Sequence, residues 1–205
     1  MLLKINPDNI DDRLINQVIH TLKKGGIIIY PTDTVYTLGC DLTHAAALEK
    51  ICKLKGVKPN KANFSIVCYD LSHLSDFTQS ISTPCYKLMK RALPGPFTFI
   101  LNANNKVSKI FGYNKKTVGI RVPNNKICRA IVDALGEPMI SASIKSDDTV
   151  LEYITDPQEL FEQYENIVDI VIDGGAGDNI ASTIIDYTED EPLIVREGKG
   201  DINKL

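Results

Sequence analysis

Hydroxyl and carboxylate groups crowd one short stretch of this sequence. Thr32, Asp33, Thr34, Tyr36 and Thr37 fall within six residues. They follow four apolar residues, 27–30, bounded by Gly25-Gly26 and Pro31, which read as a short buried strand. Polar groups at the carboxyl edge of a strand sit where open α/β sheets bind ligands. A comb of lysines follows: Lys50, Lys53, Lys55, Lys58 and Lys61. Hydroxyl donors followed by clustered cations indicate an anionic ligand, such as a phosphate. A solvated helix face is the rival reading for Lys50, Lys53 and Lys61.

Other chemistries find little support. His20, His44 and His73 are isolated, with no helical metal-ligand spacing. The cysteines at 40, 52, 68, 85 and 128 are odd in number and lack a C-x-x-C pair, which argues against a zinc site or a disulfide framework. They read as free, mostly buried thiols in a reducing compartment. Neither a membrane-length apolar run nor a secretory leader is visible in the sequence, so a cytoplasmic protein with no membrane partner is expected.

The net charge of −3 conceals a segregation. Residues 1–146 carry a net charge of +10 and residues 147–205 a net charge of −13. Separate electrostatic faces are expected, the basic one suited to phosphates, unless the two segments interleave in space.

The elements that would position these groups alternate. Helical spacing of apolar residues covers 11–24, opened by Asp11 and Asp12 and stopped by Gly25. A second helix, capped by Thr43, runs to about Gly56. Further helices are expected at 84–93, 127–135 and 156–164. Strands are expected at 64–68, 97–101, 117–122, 138–142, 168–172, 183–186 and 193–196. Residues 102–116, rich in Asn and Lys, read as a connection. The class is α/β, a single domain over 1–205 with a twisted mixed sheet and flanking helices.

Taken in order, the polar strand ends form a pattern. Gly-Gly-(apolar)-Tyr-Pro-Thr-Asp-Thr-Val-Tyr is followed by the Lys-rich segment, then by Pro94-Gly95-Pro96-Phe97-Thr98, Thr117-Val118-Gly119-Ile120-Arg121-Val122-Pro123, Pro138-Met139-Ile140-Ser141-Ala142-Ser143, Ser182-Thr183-Ile184-Ile185-Asp186 and Ile194-Val195-Arg196-Glu197-Gly198. This resembles the YrdC family, whose best-known members are threonylcarbamoyl-AMP synthases. Val67-Cys68-Tyr69-Asp70-Leu71-Ser72 and Arg196-Glu197-Gly198-Lys199-Gly200-Asp201 look closer to its YciO branch.

The resemblance implies a sheet with a basic concave face that binds nucleotides and double-stranded RNA or tRNA. It implies ATP with Mg²⁺, and no tightly bound metal. It also implies a reaction joining L-threonine, bicarbonate and ATP into threonylcarbamoyl-adenylate for tRNA adenosine-37 modification. Such chemistry rests on positioning and on cations at phosphate oxygens, so no dedicated catalytic base need be visible. Carried over by motif, Lys55, Lys58, Thr117, Ser143 and Arg196 fall to the nucleotide, while Thr34, Arg121, Ser141 and Ser182 fall to the small substrate. Structural ion pairs are the rival roles for Arg121 and Arg196, and a strand hydroxyl bonded to backbone for Ser182.

Departures from the synthase pattern fall on expected ligand contacts. Lys58 replaces an arginine, Lys145 an asparagine and Thr37 a glycine, and a histidine expected near residue 67 is absent. Lysine lacks the planar fork of arginine and the acceptor of asparagine. Three alternatives therefore stand beside the synthase: a double-stranded RNA-binding module without synthase activity, an enzyme acting on a related adenylate or a modified nucleoside, and a structural or regulatory protein with a decayed site.

Overall fold

The computed structural model describes residues 1–112, 115–144 and 153–205. Its ten strands form one sheet: β1 (Leu2–Lys4), β2 (Ile28–Tyr30), β3 (Thr37–Asp41), β4 (Ser65–Val67), β5 (Phe97–Asn102), β6 (Thr117–Arg121), β7 (Met139–Ser143), β8 (Ile170–Asp173), β9 (Thr183–Asp186) and β10 (Leu193–Arg196). The spatial order is β1-β8-β2-β3-β7-β4-β6-β5-β9-β10. Parallel pairs (β1/β8, β2/β8, β4/β6, β5/β9) mix with antiparallel ones, as expected of a mixed sheet. The helices are α1 (Asp12–Lys23), α2 (Ala45–Leu54), α3 (Thr83–Ala92), α4 (Asn105–Phe111), α5 (Lys126–Leu135) and α6 (Pro157–Tyr164).

Strand periodicity sends alternate residues to opposite faces. On one face Leu38, Cys40, Ile66, Phe97, Phe99, Val118, Ile120, Ile140 and Ala142 join the buried residues of α2, α3 and α4 in the larger core. On the other, α1 and α5 cover Ile28, Tyr30, Val67, Met139, Ile170 and Ile172. These two helices stop short of the sheet's full width. Beyond them the same face continues as Thr37, Ser141, Ser143, Ser65, Thr117, Gly119 and Thr98, small or hydroxyl-bearing side chains that line an open cleft.

Several expectations are corrected here. Thr43 does not cap α2: His44 occupies the N-cap position, and Thr43 bonds Asp41 through its backbone N–H and its hydroxyl, each 2.7 Å from Oδ1. The connection at 102–116 contains α4, whose N-cap Asn104 accepts from the backbone N–H of Lys106 and Val107. Two strands escaped the sequence reading. β1 has only three residues. β3 was hidden in the polar segment after Pro31, yet it pairs antiparallel with both β2 and β7. The acidic final third does not pack as a separate block, since β8 lies between β1 and β2 and β9 joins β5. All five cysteines are free and buried, as expected.

Candidate functional site

The cleft's floor follows from register. Gly39 pairs with Ser141, Ser141 with Ser65, and Ser65 with Gly119, so one row of small residues crosses four strands. Gly119 is needed for that row. A Cβ there would come 2.8 Å from Ser65 Oγ and 3.4 Å from Thr98 Cγ2. Gly39 serves Tyr30 in the same way, because an added Cβ would lie 2.5 Å from Tyr30 Cε1. The resulting cleft encloses about 320 Å³.

At one end lies the segment 31–36, held from several sides. The Tyr36 hydroxyl donates to Gly175 O at 2.6 Å and accepts from Gly174 N at 3.1 Å. Asp178 N donates to Thr34 O at 3.1 Å, and Lys199 Nζ donates to Asp33 O at 2.7 Å. Lys199 also pairs with Asp178 at 2.6 Å, and its ammonium holds the Asp178 carboxyl below the ordinary range. Thr34 is thereby fixed at the cleft wall, 1% exposed.

Arg121 reaches Thr34 from the end of β6. Its Nη2 donates to Thr34 Oγ1 at 3.0 Å and to Asp33 Oδ1 at 3.2 Å. Asp33 also accepts from Asn124 N at 2.9 Å. The structural ion pair held as a rival role for Arg121 is therefore formed, although Arg121 also lines the cleft. Near this corner Arg121 Nε is buried without a hydrogen-bond partner, and the buried Tyr30 hydroxyl faces the Ser141 hydroxyl without a well-aligned bond. Tyr30 lies near Ser141 and Arg121, and burial raises its phenol pKa strongly. Burial likewise pushes the nearby Cys128 thiol up to about 12.

Among the described residues, three cations line the cleft: Arg121, Lys115 and Arg196. Arg196 donates from Nε and Nη2 to Ser182 O at 3.2 and 3.0 Å, and Ser182 Oγ lies 2.8 Å from Thr98 Oγ1. Lys115 Nζ donates to Ala62 O at 2.6 Å, and desolvation lowers its pKa. Among the described residues that line the cleft, none is Asp or Glu. Such a lining suits an anion, and it offers Mg²⁺ no carboxylate. A metal brought by a nucleotide would be held there by phosphate oxygens and water. No group of three or more His, Cys, Asp or Glu residues able to hold a metal occurs among the described residues.

The structure brings seven of the nine sequence-derived candidates together: Thr34, Thr117, Arg121, Ser141, Ser143, Ser182 and Arg196 all line the cleft. Two stand apart. Lys55 is absent from the lining and donates from Nζ to the carbonyls of Ser143 and Ile144 at 2.8 and 3.3 Å. Lys58 is exposed, ahead of the 3₁₀ turn Pro59–Lys61. Lys145 lies outside the described residues. Sequence reasoning missed Lys115, Ser65, Thr98 and Gly119 as lining residues. Period-two spacing could have put Gly119 on the same face of β6 as Thr117 and Arg121, but Ser65 joins that face only through the β4–β6 register, and nothing local distinguished Lys115 from its neighbours.

Comparison with known proteins follows the same outline. A family model described as telomere recombination, covering Sua5, YciO and YrdC, matches residues 20–198. The uncharacterized protein YciO of Escherichia coli K12 is 41% identical over 97% of this chain and 95% of its own length. The crystal structure of E. coli YciO superposes with a TM-score of 0.89, covering 100% of this chain and 98% of that one. A threonylcarbamoyl-AMP synthase of Thiobacillus denitrificans is 30% identical over 72% of this chain and 79% of its own length. Sua5 of P. abyssi, complexed with L-threonine, shares the fold at a TM-score of 0.86 and 24% identity, over 97% of this chain and 57% of its own. Among the described residues, no helix is long and apolar enough to cross a membrane.

Proposed function

The chain belongs to the Sua5/YciO/YrdC family, and on that premise we propose that its cleft binds a nucleotide together with a small amino acid and joins them through a carbamate to an adenylate. Lys115 and Arg196, with Thr117 and Ser143, take the phosphates of ATP. Thr34, Ser141 and Ser182 take the amino acid, L-threonine in the synthase version of the reading. Arg121 holds Thr34 in place. The amine nitrogen bonds to the bicarbonate carbon, and one bicarbonate oxygen leaves with two protons as water, giving the carbamate. A carbamate oxygen then attacks the α-phosphorus, and pyrophosphate leaves with the electron pair of the broken P–O bond.

One observation carries this reading. Among its described lining residues, the cleft combines three cations with a wall of hydroxyls and holds no carboxylate. Preorganised positive charge at phosphate oxygens is the main catalytic requirement of such transfer. The family relative named as a threonylcarbamoyl-AMP synthase supports the choice of reaction. ATP enters with Mg²⁺ on its own phosphates, where the metal supplies charge neutralisation. The test is pyrophosphate release from folded protein with L-threonine, bicarbonate and Mg·ATP. Release at the background rate sinks the synthase version.

A second reading, RNA binding by phosphate contacts, is favoured by the exposed Lys58 and Lys61. The turn bearing Lys61 leads into Ala62, whose carbonyl holds Lys115 at the cleft. A tRNA or RNA duplex bound there would be released steeply by salt. Salt-insensitive or undetectable binding at low ionic strength removes this reading.

A further inference from the structure

The hydroxyls at the Thr34 end of the cleft have a fixed hydrogen-bond direction. A hydroxyl carries one proton, and a carbonyl can only accept. Thr37 Oγ1 lies 2.7 Å from Ala142 O, so its proton is committed there; two oxygens at that separation without a proton between them would repel. Its 3.5 Å approach to Leu38 O is too long to compete. Thr37 Oγ1 is also 3.1 Å from Ser141 Oγ. With the Thr37 proton spent, Ser141 must be the donor in that pair. The buried Tyr30 phenol beside Ser141 brings its own proton and so takes a serine lone pair, which leaves Ser141 only its remaining lone pair to turn toward the cleft.

Thr34 reaches the same state by a separate chain. Thr32 Oγ1 donates to Val35 O at 2.8 Å. It is 3.0 Å from Thr34 Oγ1, so Thr34 supplies the proton of that contact. Thr34 Oγ1 then accepts from Arg121 Nη2, leaving one lone pair. Two hydroxyls on facing elements are thus both acceptors, each polarised by a chain that ends on a backbone carbonyl. The positive charge beside them is offset, because Arg121 is paired with Asp33.

We infer that the Thr34–Ser141 corner is an acceptor site that recognises an N–H donor on the ligand, a primary amine or its ammonium, rather than an anionic oxygen. The inference rests on the proposed function and deepens it. The cleft has polarity along its length, with an amine held at the Thr34–Ser141 end and anionic oxygens held by Lys115 and Arg196. Thr34 and Ser141 donate to Thr32 and Thr37, whose own protons are committed to backbone carbonyls, so neither chain can carry the amine's proton to a base. Their part is to orient the nitrogen, whose lone pair then faces away from them toward the rest of the cleft. The inference also reverses the expectation, drawn from residue types, that the hydroxyls after Pro31 donate to an anion.

The test is calorimetric titration of the protein, with and without ATP in bicarbonate-depleted buffer, using L-threonine, L-threoninamide and (R)-3-hydroxybutanoate. The amide lacks the carboxylate, and the hydroxy acid lacks the amine. L-threoninamide is expected to bind within about threefold of L-threonine, and the hydroxy acid roughly tenfold or more weaker, as for a site built around a missing donor. The opposite order overturns the inference. Failure of the amide to bind a protein that binds ATP also overturns it, while the nucleotide reading survives. If ATP does not bind, the proposed function falls, and the ranking on the nucleotide-free protein still decides the inference. Thr37→Val provides a second arm. It removes the acceptor that fixes Ser141, freeing the serine proton for the cleft, so the preference for amine over hydroxy acid should shrink several-fold. An unchanged preference in folded T37V protein counts against the proton direction assigned here.

Discussion

Arg121 and Asp33, 88 residues apart in sequence, form an ion pair of 3.2 Å with side chains 7% and 8% exposed. The pair ties the carboxyl end of β6 to the segment after β2, and through Arg121 Nη2 it fixes the Thr34 hydroxyl. Removing one member of a buried pair leaves the other charge uncompensated, at a cost of about 3–5 kcal/mol. Asp33→Ala should therefore lower stability by an amount in that range in urea unfolding. Arg121→Met, similar in length and uncharged, leaves Asp33 with its Asn124 N–H bond and should cost less. Equal losses for the two variants would show that the pair does not behave as a buried charge couple.

Gly39→Ala tests the packing beneath the cleft floor. The new methyl would lie 2.5 Å from the ring of Tyr30, which is fully buried between β2 and the helices α1 and α5. A ring edge cannot retreat in a filled core, so overpacking of about 1–3 kcal/mol is expected. Gly136→Ala is the comparison, because nothing lies within 4 Å of its added Cβ. Its φ of +72° still makes alanine unfavourable there, by about 1 kcal/mol. Thermal unfolding should rank Gly39→Ala as the more damaging change.

What the sequence made legible was local. β6 could be read as a strand over 117–122, which delivers Arg121 at its end, because apolar Val118 and Ile120 alternate with less apolar neighbours. α1 and α5 were legible from helical spacing and their stops at Gly25 and Gly136. β3 was not, because Thr37, Gly39 and Asp41, which share one face of the strand, look like a continuation of the preceding polar turn. Lys55 and Lys115 show a different limit. Both are lysines in basic stretches, but Lys55 Nζ is spent on carbonyls at the end of β7 while Lys115 lines the cleft. Which ammonium faces a ligand depends on tertiary placement that no spacing rule encodes. The Arg121–Asp33 pair was hidden for the same reason.

The buried thiols predict alkaline lability. Burial raises Cys85 to about 11 and Cys68 and Cys128 to about 12. An acid whose folded pKa is raised keeps its proton in the folded state while the unfolded chain loses it. Stability is thus fully present below the ordinary thiol value of about 8.5 and falls as pH rises above it, by about 1.4 kcal/mol per pH unit for each such thiol. Denaturant midpoints measured between pH 7 and 10 should fall above pH 8.5. Ellman's reagent at pH 8 should find almost no reactive thiol in native protein and five after unfolding. Rapid native reaction would contradict their burial.

Lys115→Gln addresses the nucleotide end of the cleft. Glutamine can still donate to Ala62 O, so the wall it braces is retained while the charge is lost. Each ammonium that meets a phosphate contributes a charge-assisted bond, and losing one should weaken ATP binding by roughly tenfold. The amine site is at the other end, so L-threoninamide affinity should stay within about twofold of the parent protein. Because desolvation lowers the Lys115 pKa, its charge is lost at a lower pH than for an exposed lysine. ATP affinity of the parent should accordingly decline as pH rises toward that lowered value, and the decline should be weaker in K115Q. Calorimetry across pH 7–10 separates the possibilities. An unchanged ATP affinity in K115Q would remove Lys115 from the phosphate site, and a parallel loss of threoninamide binding would mean that the two ends of the cleft do not act independently.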